Sequence, residues 1–380
     1  MKPGIRLAAI GFSVVVALTL GPATSAPAQE VPVAVGMALT GNYAFAGVPL
    51  TNGVRVAAEE INASNFLAGR KIKLIVEDNA SDKNQIITLI NCFATLDQAV
   101  AVIGSLSSLE ALAAAPVANE KKIAMIAGGV SPDILKAGPW SFKVLSPPAV
   151  TMRTLAQYAV DRLAAKRAAL LTVRDNDGFI TQKNVVRDIF KSQGVAIVLD
   201  DSVAASDVDF TALSTKLADA SPDVVFFAMP AEQGANLVIQ ARQAGVPQKV
   251  RFLGPQAMSA ESFIRIGGKA VEGSVIAADY FIGTPGKQNA EFIERHRRMF
   301  KKDPENWTGV GYTMLYMVAT AVRNAGVGAD RDKIRRELAG LKNMPTVLGN
   351  GKYSFDANRD AIYGATLITV QEGKFALAPN

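Results

Sequence analysis

From residue 31 to residue 253, short apolar runs alternate with segments of helical periodicity, and no other feature of the sequence limits the fold as strongly. The predicted strands are Val31–Leu39, Lys71–Val76, Val100–Ile103, Ile123–Ile126, Ala168–Val173, Ala196–Asp200, Val224–Ala228 and Arg251–Leu253. The predicted helices are Asn52–Ile61, Asp82–Leu96, Ser107–Lys121, Val150–Leu163, Ile180–Gln193, Phe210–Ala220 and Gly234–Ala244. Strands separated by helices form parallel sheets with right-handed crossovers. Because a Gly/Pro-rich stretch at 138–148 interrupts the alternation, the sequence predicts two α/β units in tandem.

The remainder of the chain departs from this alternation. One more strand is predicted at Ser274–Asp279, and three helices then follow without strands between them, at Ala290–Phe300, Tyr312–Asn324 and Arg331–Leu341. Three such helices cannot form a sheet of their own, so we expect them to return and cover the first unit. Both units are then discontinuous in sequence, and several connections run between them.

The N-terminus has the organisation of an export signal. Lys2 and Arg6 precede an apolar run from Leu7 to Leu20, and Ala26-Pro27-Ala28 supplies the small residues of a signal-peptidase site. The run is shorter than the roughly 20 apolar residues of a membrane-spanning helix. We therefore expect residues 1–28 to be removed and the protein to be periplasmic. The remaining 352 residues suit two domains and carry a net charge of +4, too mild to indicate a nucleic-acid partner.

The sequence has too few cysteine and histidine residues for several kinds of functional site. Cys92 and His296 are the single cysteine and the single histidine, so a disulfide within the chain, a His/Cys metal site and a His-based triad are disfavoured. His296 is predicted at the edge of the apolar face of its helix, with no function. No phosphate loop, nucleophile elbow or zinc spacing is present. The sequence predicts neither an enzyme nor a bound cofactor or metal.

The stretch Val100–Val117 contains the most specific local signal. A β-branched run ends at Gly104, and Ser107 stands three residues before Glu110, which is the capping-box spacing. A serine at this place either caps the helix and does no more, or belongs with Ser108 to an anion cradle at the helix N-terminus. The residues of this stretch alone favour the cap.

Many short motifs together resemble one family. They are Leu39-Thr40-Gly41, Asn52-Gly53, Glu59-Glu60-Ile61-Asn62, Gly69-Arg70-Lys71-Ile72, Val76-Glu77-Asp78, Ala101-Val102-Ile103-Gly104, Ala115-Pro116-Val117-Ala118, Asp209-Phe210-Thr211, Ser221-Pro222-Asp223 and Gln240-Ala241-Arg242. In this order and spacing they resemble the leucine/isoleucine/valine-binding proteins, which are type I periplasmic solute-binding proteins of ABC importers.

The resemblance implies a fold and a partner. It implies two doubly wound parallel-sheet lobes joined by a three-stranded hinge, with residues 29–147 and 281–358 in the N-terminal lobe and residues 148–280 and 359–380 in the C-terminal lobe. A monomer that closes on a small molecule and delivers it to the permease subunits of an ABC transporter is expected. A ligand-sensing partner of a membrane receptor is the alternative of a different class.

The resemblance also implies a carboxylate site. Its side chains are Ser108 and Ser131, its backbone groups lie near Leu106 and Gly129, and Ser107 remains the helix cap.

Three positions depart from the amino-acid-binding pattern. Gln256 stands where an acid would meet the ligand ammonium, and Ala46 and Asp177 stand where tyrosines would pack on the ligand. The nearby candidates to line the pocket are Tyr43, Phe45, Phe179 and Met229. Because an amide cannot neutralise an ammonium, we expect an aromatic or keto acid as the ligand. A branched-chain or other amino acid is the alternative, with Asp177 in the ammonium role.

Overall fold

A computed structural model describes Met1 and residues 29–379 of the chain. The predicted signal peptide therefore lies, apart from Met1, outside the described residues. Within those residues, no helix has the length and apolar character needed to cross a membrane.

The first sheet is parallel and comes from the first part of the chain. Its strands are β1 (Glu30–Met37), β2 (Lys71–Asp78), β3 (Ala101–Ile103), β4 (Ala124–Ala127) and β5 (Ser141–Lys143), in the spatial order β2-β1-β3-β4-β5. The helices between them are α1 (Ala44–Ala63), α2 (Lys83–Thr95), α3 (Ser108–Glu120) and α4 (Asp133–Lys136). Strands β1, β3 and β4 are buried, whereas β2 is half-exposed at the edge, as its alternating sequence predicts. We call this sheet with its helices the first lobe.

The second sheet has seven strands, and its last two form an antiparallel hairpin whose first strand runs against the rest of the sheet. Its strands are β6 (Arg167–Val173), β7 (Ala196–Val203), β8 (Val224–Ala228), β9 (Arg251–Gly254), β10 (Val275–Ala278), β14 (Thr366–Gln371) and β15 (Lys374–Leu377), in the order β15-β14-β10-β9-β8-β6-β7. Its helices are α5 (Pro148–Asp161), α6 (Asp177–Ser192), α7 (Thr211–Ala220), α8 (Ala231–Gln243) and α9 (Glu261–Gly267), with 3-10 turns at Gln256–Ser259 and Gly268–Val271. We call this sheet with its helices the second lobe.

The segment between β10 and β14 returns to the first lobe, as predicted. It contains α10 (Lys287–Phe300), α11 (Asn306–Ala325) and α12 (Arg331–Ala339), followed by the short strands β11 (Met344–Pro345), β12 (Lys352–Phe355) and β13 (Ala361–Ile362). Helix α11 packs along α1. A Cβ atom on Gly311 would lie 1.9 Å from the carbonyl oxygen of Leu50, so the two helices require a glycine at this crossing.

Several local predictions are wrong in their bounds or burial. Helix α11 begins at Asn306 rather than Tyr312, because Gly309 and Gly311 are packing residues inside a helix and not a turn before one. His296 is fully buried rather than at the edge of its helix face: its Nδ1 lies 2.9 Å from the carbonyl oxygen of Lys302, and burial lowers its pKa. Cys92 is half-buried rather than buried.

A buried hydrogen-bond network joins the three segments that run between the lobes. The Tyr363 hydroxyl donates to Asp279 Oδ1 at 2.6 Å and accepts the backbone N–H of Ser146 at 2.9 Å. The Tyr353 hydroxyl lies 3.1 Å from the carbonyl oxygen of Val144. Each of the predicted crossovers near 145–148, 279–281 and 355–359 has a network residue in it or within a few residues of it. The domain boundaries themselves stay a prediction.

The buried carboxyl group of Asp279 gives this network a measurable pH dependence. Burial raises the pKa of Asp279 to about 6, so the folded protein holds this proton at pH values where the unfolded chain has released it. This contribution to the free energy of unfolding is complete below about pH 4 and falls by up to about 1.4 kcal/mol per pH unit as the pH rises toward 6.

We predict that Asp279→Asn removes this loss. Between pH 4 and pH 7, the free energy of unfolding of the variant should rise by about 2 kcal/mol relative to that of the native chain. Denaturant titrations across this pH range measure the difference, with Asp133→Asn, at an exposed carboxyl group, as the control. A constant difference between Asp279→Asn and the native chain across the range would contradict the prediction.

Candidate ligand-binding site

A cavity of about 50 Å³ lies between the two lobes, at the carboxyl ends of their parallel strands. The first lobe and its returning helix line it with Tyr43, Phe45, Leu106, Ser107, Ser108, Gly128, Gly129, Val130 and Trp307, and the second lobe with Asn176, Gly178, Phe179, Gln182, Gln256 and Ala257. A cavity that holds benzene has a volume of about 150 Å³. The lining must therefore move to admit a ligand with a ring.

Helix α3 points its N-terminus at this cavity. The Ser107 hydroxyl accepts the backbone N–H of Glu110 at 3.2 Å, so Ser107 is the predicted N-cap. Behind it, Glu110 is fully buried and accepts a hydrogen bond from Asn79 Nδ2 at 3.0 Å. Burial raises the pKa of the Glu110 carboxyl group. The Ser107 hydroxyl is thus occupied within the protein as the helix cap, and its neighbour Ser108 is the first residue of α3.

The hydrogen bonds of Ser108 leave it a single role toward a ligand. Its Oγ accepts the backbone N–H groups of Val130 at 3.0 Å and Ser131 at 3.1 Å. A serine hydroxyl has two lone pairs and one proton. Because both lone pairs are occupied, the proton is what remains for a ligand in the cavity. Ser108 is therefore arranged to donate a hydrogen bond to an acceptor.

Helix α6 of the second lobe brings a second N-terminus to the same cavity. Its N-cap residue Asn176 accepts the backbone N–H of Gly178 at 2.9 Å and donates from Nδ2 to the Tyr43 hydroxyl, in the other lobe, at 2.8 Å. A Cβ atom on Gly178 would lie 2.3 Å from Ser108 Oγ. The lobes are thus closed on each other, and two helix N-termini, each with partial positive charge, meet at the cavity.

Two amides form the opposite part of the lining. Gln182 Nε2 on α6 donates to Gln256 Oε1, after strand β9, at 3.1 Å. Both side chains are buried. The lining residues include no Asp, Glu, Lys, Arg or His, so the cavity as described contains no ionised side chain. No cluster of three or more potential metal ligands occurs among the residues that the structure describes.

The structure brings together most of the predicted site residues. Those that line the cavity are Tyr43, Phe45, Leu106, Ser107, Ser108, Gly129, Phe179 and Gln256. Ser131 lies just behind it, since its N–H binds Ser108. Ala46 and Met229 are buried outside the lining, and Asp177 is exposed to solvent outside it. Whether each of these residues contacts the ligand stays a prediction.

Sequence reasoning missed Asn176, Gln182 and Trp307. The order Asn-Asp-Gly before a helix is an N-cap signal that would have started α6 three residues earlier, at Asp177 rather than Ile180. Gln182 follows Gly178 by four residues and thus lies on the same helix face. Trp307 comes to the cavity from α11, fifty residues beyond the nearest of the other lining residues in sequence, Ala257, and no local pattern indicates this.

Comparison with known proteins identifies the family. A family model described as periplasmic binding protein matches residues 30–374. An amino acid binding protein of Pseudomonas aeruginosa is 27% identical over 355 residues, which cover 92% of each chain. The leucine binding protein of Thermotoga maritima MSB8 has a TM-score of 0.85 at 24% identity, over 92% of this chain and 98% of its own. A solute binding protein of an ABC transporter from Rhodopseudomonas palustris BisB5, in complex with 3,4-dihydroxy benzoic acid, has a TM-score of 0.81 at 24% identity, over 91% and 95%.

The chain belongs to the periplasmic binding protein family, and its relatives include a leucine-specific-binding protein of Salmonella typhimurium that is 26% identical over 341 residues. The family and the two-lobed α/β fold predicted from the sequence motifs are thereby confirmed.

We predict that Gly178→Ala impairs closure of the lobes. The added methyl group would overlap Ser108 Oγ, so ligand affinity should fall at least tenfold, while the free energy of unfolding should stay within about 1 kcal/mol because alanine suits a helix. Calorimetry with a ligand found by thermal-shift screening measures the affinity, and X-ray scattering measures the compactness of the ligand-bound protein. Gly340→Ala, where a Cβ atom meets nothing closer than 3.4 Å, is the control. Equal affinity in both variants would show that the lobes do not need this close approach.

Proposed function

We infer that this protein captures a small carboxylate, an aromatic or keto acid, between its two lobes and presents it to an ABC permease for import. The observation that carries this proposal is the single free proton of Ser108 at the N-terminus of α3, in a cavity without ionised side chains.

The unpaired groups of the first lobe suit an anionic acceptor. The Ser108 hydroxyl has only its proton free, and Trp307, which lines the cavity, has a buried ring N–H without a partner among the described residues. Hydrogen bonds to a charged acceptor contribute about 1.5–3 kcal/mol each. The N-termini of α3 and α6 add favourable partial charges from both lobes. A carboxylate satisfies all of these groups at once.

The other side of the cavity does not suit an ammonium group. Gln256 and Gln182 are neutral amides, and burying a cation without a charged partner is costly. The fold does not decide between ligands, because similar structures include a leucine binding protein and a complex with 3,4-dihydroxy benzoic acid. The lining of the cavity must therefore decide, and here it favours an acid without an ammonium group.

An amino-acid ligand is the second candidate. The amino acid binding protein of Pseudomonas aeruginosa, 27% identical, is the observation in its favour. This alternative requires the exposed Asp177 to turn toward the cavity and meet the ammonium. A sensor that reports its ligand to a membrane receptor would use the same site.

The proposal includes the setting of the protein. Cleavage after Ala28 and export to the periplasm, a monomeric state and docking on the membrane subunits of a transporter follow from the sequence features and the family. Binding rather than catalysis is the proposed activity, and no nucleic-acid partner is expected. The proposed lobes are residues 29–147 with 281–358 and residues 148–280 with 359–380, which close about the three crossovers.

A matched pair of ligands tests the ligand class. Phenylpyruvate and phenylalanine differ in a keto oxygen and an ammonium at one carbon. Calorimetry should show tighter binding of phenylpyruvate to the native protein. Ser108→Ala should weaken both ligands by about 1.5–3 kcal/mol, since both carry the carboxylate. Gln256→Glu should weaken phenylpyruvate further and improve phenylalanine, because the new carboxylate repels an anion and pairs with a cation.

The amino-acid alternative predicts a different calorimetric result. A native protein that prefers phenylalanine, and loses the preference in Asp177→Asn, would establish the amino-acid alternative. Asp175→Asn, at another exposed carboxyl group close to the same helix, is the control for nonspecific loss of charge.

A further inference from the structure

The amide pair in the cavity has one polar atom that the protein does not satisfy. Gln182 is 1% exposed, and its Nε2 donates to Gln256 Oε1 at 3.1 Å. Its own Oε1 is buried without a hydrogen-bond partner among the described residues. An unpaired buried acceptor costs about 1–3 kcal/mol. A ligand that supplies a donor at this point would recover that free energy.

The pair offers a ligand the same chemistry whichever way its amides are oriented. One glutamine donates an N–H to the amide oxygen of the other. The donating glutamine keeps a free amide oxygen, and the accepting glutamine keeps a free NH₂ group. Turning both amides over exchanges these roles between Gln182 and Gln256 but still leaves one acceptor and one donor. The fitting ligand group both donates and accepts. A hydroxyl does this with one heavy atom, whereas a keto oxygen only accepts and an ammonium only donates.

The position of Gln182 on α6 separates this point from the carboxylate site. Gly178 packs against Ser108, and Gln182 follows four residues later on the same face. Four residues of α-helix advance the backbone by about 6 Å. The hydroxyl that Gln182 meets is therefore separated from the carboxylate by more than one carbon atom. A benzene ring with the two groups at opposite ends provides such a separation.

We propose that Gln182, paired with Gln256, is a specificity residue that selects carboxylic acids with a distal hydroxyl group. The proposal rests on the proposed function, because it assumes that the carboxylate lies at Ser108. It narrows the ligand class from aromatic and keto acids to hydroxylated ones, and it gives the role to a residue on α6 rather than to Gln256 alone.

Two ligands of similar shape test the proposal in the native protein. The hydroxyl of 4-hydroxybenzoate donates a hydrogen bond, and the fluorine of 4-fluorobenzoate does not. Calorimetry should show at least tenfold tighter binding of 4-hydroxybenzoate, because sites that pair a buried polar group with a ligand hydroxyl reject analogues that lack it. The isomer 2-hydroxybenzoate, with its hydroxyl next to the carboxylate, should bind no more tightly than 4-fluorobenzoate.

The variant Gln182→Met separates recognition from a merely structural role. Methionine has a similar length without a strong hydrogen-bonding group, so it should bring the affinity ratio of 4-hydroxybenzoate to 4-fluorobenzoate close to one. If the amide pair only stabilised the fold, both affinities would fall together and the ratio would persist, and the proposal would be wrong. The comparison in the native protein decides the question even if this variant does not fold.

The failures of the two proposals are distinguishable. Equal binding of 4-hydroxybenzoate and 4-fluorobenzoate to the native protein overturns the role of Gln182 and leaves a carboxylate-binding protein. Binding of leucine or phenylalanine, with none of the benzoates bound, overturns the proposed function and the role of Gln182 with it.

Discussion

Both lobes direct helix N-termini to one cavity, and this follows from the parallel sheets. A strand that continues into a helix delivers the helix N-terminus at the strand's carboxyl edge, where the crevice of an open α/β sheet lies. Here α3 follows β3 in the first lobe and α6 follows β6 in the second. The two partly positive helix ends would repel each other in an empty site, and an anion between them removes that repulsion. A ligand of this charge therefore favours the closed form through the backbone alone.

The side chains then decide which anion is accepted. Ser108 has its lone pairs occupied by the N–H groups of Val130 and Ser131, so the first lobe presents a donor. Gln182 and Gln256 in the second lobe present a donor and an acceptor with no charge. In the proposed function, one half of the site binds the carboxylate of the ligand, and the other half distinguishes ligands by the group at their far end. Both halves reach one molecule only with the lobes closed, so the proposed closure would couple selectivity to the motion of the lobes.

Buried polar groups hold together the connections between the lobes. Tyr363 links Asp279 to the backbone at Ser146, and each of these residues lies in or close to a different connection between the lobes. This shared hydroxyl ties the three segments together, and the proposed closure of the lobes would take place about them. The network buries the carboxyl group of Asp279 and so raises its pKa, and the free energy of unfolding therefore depends on pH.

The sequence by itself determined the alternation of strands and helices, the return of the last three helices, the family and the N-cap at Ser107. The elements and the cap depend on periodicity, propensity and capping, which act over a few neighbouring residues, whereas the family follows from the resemblance of many short motifs in one order. The tertiary structure alone decided that Ser108 can only donate, that Gln182 pairs with Gln256 and that Trp307 reaches the cavity. Each of these facts joins residues more than twenty positions apart, so only the packing of the two lobes brings them together. Asp177, a candidate on sequence grounds, is exposed on α6, whereas Gln182, five residues and therefore about 140° further round the helix, lines the cavity.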